Sequence, residues 1–207
     1  MHKLIIATHN MGKFDEIQEY ISQTTQNVNL THMKDQGLIS PEETGDTFIE
    51  NALIKARFAA ESTGFAAIGD DSGLVVETLD GAPGVRSARF SGEKATDADN
   101  IQALIAKLKE SPCSLHPAHY HCSLVYVRHA RDPDPIIAQA RWHGQMRLSP
   151  QGVDGFGYDP IFYDPTLGCS AAQLSMEEKN RISHRGGALK ILIDALGELE
   201  WFQGKKN

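Results

Sequence analysis

The 207-residue chain is 41% apolar and 23% charged, with 20 Lys+Arg against 27 Asp+Glu for a net charge of −7. A chain this long buries enough surface to fold without disulfides or a structural metal, and its acidic field argues against nucleic acid as a partner. It has no apolar run near the ~18 residues of a membrane span, no signal-peptide core, and three scattered cysteines (Cys113, Cys122, Cys169) with neither disulfide nor CxxC spacing. These features predict a reduced, cytoplasmic protein with no membrane partner.

In chain order, residues 3–7 form a short apolar run that meets polar Thr8-His9-Asn10 and then Gly12-Lys13, with Phe14, Ile17 and Ile21 at helical spacing. That pattern predicts strand, turn and helix. Residues 46–63 read as the clearest helix, opened by a capping box at Thr47 and Glu50 and closed at Gly64. Ala66–Ile68 and Leu74–Val76 read as two strands broken at a polar turn, Gly69-Asp70-Asp71-Ser72-Gly73. A second amphipathic helix is expected from Asp97 to about Lys109. Residues 119–128 and 136–143 suggest an antiparallel pair, residues 144–160 a glycine-rich loop, and 187–202 a closing helix. The fold class expected is α/β: a mixed, partly antiparallel central sheet flanked by helices, in an elongated two-lobed subunit. Residues 1–207 would form one domain around a cleft between the lobes.

The turn Thr8-His9-Asn10-Met11-Gly12-Lys13 before a helix offers unpaired N–H groups and a lysine, which suit phosphate, although it is no Walker A loop. The same pattern also fits a plain polar turn. Adjacent Asp70 and Asp71 repel unless a cation or donors neutralise them, so they read either as a Mg²⁺ site or as an ordinary turn. Gly155-Phe156-Gly157-Tyr158-Asp159-Pro160 could lay a ring on a planar ligand while Asp159 reads an edge, or could be a loop with packed aromatics. His184-Arg185 before two glycines could hold an anion or a base. His116, His119 and His121 lack a completing ligand for zinc, since Cys122 falls on the opposite strand face.

In order, Thr8-x-Asn10-x-x-Lys13, Glu43-Thr44-Gly45, Thr47–Ala52, Asp70–Leu74, Gly81–Gly84, Ser87–Gly92, Gly155–Phe162, Glu178-Lys179 and Ser183–Gly186 resemble the inosine/xanthosine triphosphate pyrophosphatase family, in its bacterial branch. The resemblance covers nearly the whole chain. It implies a homodimer that needs Mg²⁺ and hydrolyses ITP, dITP or XTP between the α- and β-phosphates, cleansing the nucleotide pool. It further implies that Thr8, His9, Asn10, Met11, Gly12 and Lys13 bind the triphosphate and that Asp71 is general base and metal ligand. Ser72 would contact substrate, Lys55 would face phosphate, and Phe156, Gly157, Tyr158, Asp159, Lys179, His184 and Arg185 would contact base and sugar–phosphate. Glu42 is expected as the second metal ligand, with Glu43 beside it. The chain departs from the family at His9, where many members have glycine, and at Arg86, where many have an aromatic residue.

Hypoxanthine and xanthine present an acceptor at O6 where adenine has a donor, so a donor array including Arg185 would favour them.

Overall fold

The computed structural model describes residues 2–203. β1 (His2–Ala7) runs into α1 (Met11–Thr24), whose N-cap Asn10 accepts a hydrogen bond from the Lys13 backbone N–H. β2 (Val28–His32) follows, then α2 (Phe48–Thr63), β3 (Ala66–Val76), α3 (Asp97–Glu110), β4 (Pro117–Val127) and β5 (Ile136–Met146). Two short strands, β6 (Phe162–Asp164) and β7 (Cys169–Ser170), precede α4 (Met176–Ile182), α5 (His184–Leu196) and α6 (Glu200–Gln203). The seven strands form one sheet in the order β2-β1-β3-β4-β5-β6-β7. β1 pairs parallel with β2 and β3, whereas β6 pairs antiparallel with β5 and β7, so the sheet is mixed as expected. Among the described residues no helix is long and apolar enough to cross a membrane.

The chain divides into two compact units, residues 1–71, 122–140 and 185–207 in the first and 72–121 and 141–184 in the second. In the first, Leu4, Ile6, Ile17, Ile68 and Leu192 pack in one cluster, and α2 lays its alanines on Ile5, Ala7 and Val125 in another. In the second, Leu74, Leu104, Leu108, Trp142 and Phe162 form the core.

α2 begins and ends as its sequence predicts, with a capping box between Thr47 and Glu50 and a left-handed Gly64 as C-cap. α3 has a capping box of the same kind, from Thr96 and Asp99. The acidic sequence at 69–73 does not break the sheet: β3 is a single eleven-residue strand. The expected turn fails because cations from distant parts of the chain pair with both aspartates where they stand. The closing helix also differs, since α5 starts three residues earlier, at His184, and stops at Leu196 before the separate α6.

Candidate active site

In the first unit the site is built on the acidic stretch of β3. Asp70 is fully buried, and its carboxylate accepts from Lys13 Nζ at 2.8 Å and from Arg185 Nε at 2.9 Å. Burial by itself would raise this carboxyl; the charges of Arg185 and Lys13 overcome it and hold Asp70 far below the ordinary carboxylate range. Arg185 reaches on to Glu16 of α1, completing a buried network of two cations and two carboxylates. The Cys122 thiol lies 3.8 Å from Asp70, pushed well up by burial and by that charge.

Asp71, 5% exposed, is in a different condition. Its Oδ1 accepts from Lys55 Nζ at 2.7 Å, while its Oδ2 is buried with no hydrogen-bond partner among the described residues. Lys55, on α2, also donates to the Asp70 carbonyl at 2.8 Å and pairs with Glu43 at 2.7 Å. Burial would lower the Lys55 ammonium, but Asp71 and Glu43 together raise it. Asp71, by contrast, shares its nearest cation with Glu43, so burial wins and its carboxyl is raised. Asn51, one turn before Lys55, clasps Gly45 through both backbone groups and ties the segment carrying Glu43 to α2. Gly69 lets α2 lie close: a Cβ there would come within 2.0 Å of the Ala52 carbonyl oxygen.

The second unit carries a second buried ion pair. Asp159 accepts from Lys179 Nζ at 2.6 Å, from the Phe156 N–H at 2.9 Å and from the Tyr120 hydroxyl at 3.0 Å. The Lys179 ammonium stands 4.6 Å from the centre of the half-buried Phe156 ring. Gly155 has φ +79°, and a Cβ on it would meet the Asp159 carboxylate at 2.1 Å. The Gly157 N–H donates to Asp97, Tyr158 donates to the Ser87 carbonyl, and the His184 ring stacks on Tyr120 at 4.7 Å. Ser72 is half-buried on β3.

Four of the expected site residues stand in contacts that their sequence did not show. Lys55 does not present a free ammonium to phosphate: it has three oxygen acceptors and positions the acidic pair. Arg185, 1% exposed, pairs in the first unit with Asp70 and Glu16. Asp159, 2% exposed, braces Lys179 and its own loop. Of the two glutamates, Glu42 is exposed, and it is Glu43 that Lys55 draws beside Asp71, because successive side chains of an extended segment face opposite ways. Among the described residues no three His, Cys, Asp or Glu side chains gather into a metal cluster. Glu16, Tyr120 and Asp97 escaped the sequence reading. For Glu16 there was a signal, a carboxylate between apolar Phe14 and Ile17.

The family model described as Ham1 matches residues 4–195. The chain belongs to the Ham1 family. This Ham1 chain is 52% identical over 196 residues to a Shigella flexneri dITP/XTP pyrophosphatase, covering 95% of itself and 98% of that protein. To the dITP/XTP pyrophosphatase of Escherichia coli K12 it is 50% identical over the same coverage. Its backbone is similar to a solved HAM1 protein from Coxiella burnetii, with TM-score 0.89 at 42% identity over 96% of this chain and 100% of that one. Membership places it in the bacterial branch and makes it an enzyme of the family's hydrolase type.

Proposed function

We propose that this Ham1 chain hydrolyses noncanonical purine nucleoside triphosphates (ITP, dITP and XTP) to the monophosphate and pyrophosphate, with Mg²⁺, as a cytoplasmic homodimer. The observation that carries the reading is the buried Oδ2 of Asp71, a carboxylate oxygen with no hydrogen-bond partner among the described residues. An orphaned buried oxygen of this kind fits a hard divalent cation, and Asp71 with Glu43, or with Glu42 on the exposed side of the same segment, would hold it. Mg²⁺ bound there would supply charge stabilisation on phosphate oxygens and a more acidic water. Relatives named dITP/XTP pyrophosphatase at about half identity support the substrate class.

The chain's own residues divide the remaining work. Thr8 to Lys13 would take the polyphosphate, with the first-turn N–H groups of α1 facing its charge. Asp71 would take the proton of the attacking water as general base. Asp70, held ionised by Arg185 and Lys13, fixes Lys13 rather than trading protons. In the second unit Phe156, with Lys179 against its ring, would stack the purine, and His184, Gly157 and Ser72 would complete the contacts to base and sugar–phosphate.

The test is pyrophosphate release from ITP, dITP, XTP, GTP and ATP, with and without EDTA. Release from the first three, abolished by EDTA, is expected. Tight binding of ITP with the nucleotide left intact would overturn hydrolysis and leave a nucleotide sensor.

A further inference from the structure

Two nitrogen atoms beside the β1–α1 loop have no role in the chemistry above. Nε2 of His9 and Nε2 of His32 are sealed from solvent, with no hydrogen-bond partner among the described residues. His9 lies in the loop, one residue before the N-cap of α1. His32 ends β2 in register with Ile6, is 2% exposed, and sets its ring edge-on to Phe14 of α1 at 4.8 Å. Both rings therefore stand at the element that is proposed to take phosphate.

The tautomer of His32 follows from its other nitrogen. The Lys34 backbone N–H donates to Nδ1 at 3.3 Å, so in the neutral ring Nδ1 is the acceptor and the hydrogen is on Nε2. A buried N–H with no acceptor is uncommon in folded proteins and points to a missing partner. A polyphosphate supplies acceptors only. Lys34, on the turn after β2, faces both rings, while Asp35 on that turn, Asp15 on α1 and His9 itself face His32. Burial first, then the Lys34 charge, keeps both rings below the ordinary imidazole range, so the pair is neutral near neutral pH. Negative charge arriving on the loop reverses that balance. His9 is itself only half-buried, so rotation about its side-chain bonds can carry Nε2 to the open side of the loop.

We infer that His9 and His32 form a proton-linked clasp for the polyphosphate: His9 turns a ring nitrogen onto a phosphate oxygen, the pair takes up one proton from solvent, and His32 is the positioning residue behind it. The inference rests on the phosphate role proposed for the loop and adds its side-chain donors and their pH response.

Proton uptake is read by calorimetric titration with inorganic pyrophosphate, without metal, in buffers of different ionisation heat. The wild type, His9→Gly and His32→Gln are compared, so protons taken up by pyrophosphate itself cancel in the differences. The Gln amide can still accept from Lys34 but cannot titrate. The wild type is expected to take up about half to one proton more than either variant at about pH 7. In His32→Gln the KM for ITP should lose roughly a tenfold tightening between about pH 8 and pH 6.5, while kcat keeps its pH profile. Equal uptake in all three chains, with ITP still hydrolysed, overturns the clasp and leaves the reading of function standing. Uptake that disappears in His9→Gly while ITP stays intact does the reverse. His9→Gly, a loop change, keeps the inference testable should His32→Gln fail to fold.

Discussion

Asp70 and Asp71 are neighbours on one strand in opposite electrostatic conditions, and the difference predicts how each responds to substitution. Asp70 is bound by two cations, so its charge belongs to the structure. Asp71 shares one ammonium with Glu43 and keeps an oxygen unmatched, so its charge is held ready for a ligand. Asp71→Asn retains an oxygen for Lys55 and removes the unmatched charge. It should lower pyrophosphate release from ITP by about 10²–10⁴-fold with the urea midpoint nearly unchanged. Arg185→Ala does the opposite kind of damage, leaving Asp70 and Glu16 buried without their shared cation, and should cost roughly 3–5 kcal/mol of stability. Near-wild-type turnover in Asp71→Asn would remove that residue from the chemistry. An Arg185→Ala midpoint close to wild type would show that the buried network is not what holds the first unit.

At the scale of elements, the site depends on how closely α2 lies on β3. Lys55 meets Asp71 because the helix backbone crosses the strand at Gly69, where a methyl group would strike the Ala52 carbonyl and the Ala56 nitrogen. Gly69→Ala should therefore push α2 outward, lowering stability by about 1–3 kcal/mol and turnover with it, although residue 69 touches no substrate in the proposed reaction. Thermal unfolding and pyrophosphate release measured together check this, and full activity in a destabilised protein would separate the packing from the site. Elements governed by local chemistry were legible in the sequence: the capping box and Gly64 of α2, and the turn Thr8–Lys13 before α1. The acidic stretch was not, because two aspartates read as a turn until the cations from residues 13, 55 and 185 are in place. That Glu43 rather than Glu42 pairs with Lys55, and that Asp159 braces Lys179, was hidden for the same reason. Which side chain faces inward depends on Lys55, Tyr120 and Lys179, none of them adjacent in sequence.

Over the whole molecule, buried histidines and aspartates together set the response to acid. Burial, then Arg141 and His119, lowers His121 in the second unit from 6.5 to about 4, and His9 and His32 in the first unit are lowered as well. A lowered imidazole favours the neutral form in the folded chain, so its contribution is complete above about pH 6.5 and is lost as pH falls towards the folded value. For His121 that loss is on the order of a few kcal/mol. Asp70 extends the trend, since its depressed carboxyl supports the fold above about pH 4 and loses that support only as acid protonates it. Asp71 acts against them: its raised carboxyl binds a proton more tightly in the folded chain, so acid relieves it. With four histidines (His9, His32, His119 and His121), Asp70 and Asp132 against Asp71, stability should decline from about pH 6.5 to pH 4, losing support in both units, and fall further below that. Urea midpoints across this range test the balance, and His121→Gln should flatten the upper part of the decline by the share assigned to His121. A profile of the same steepness in that variant would place the acid sensitivity elsewhere, leaving His119 beside it and the first unit's pair, His9 and His32, as the groups to substitute next.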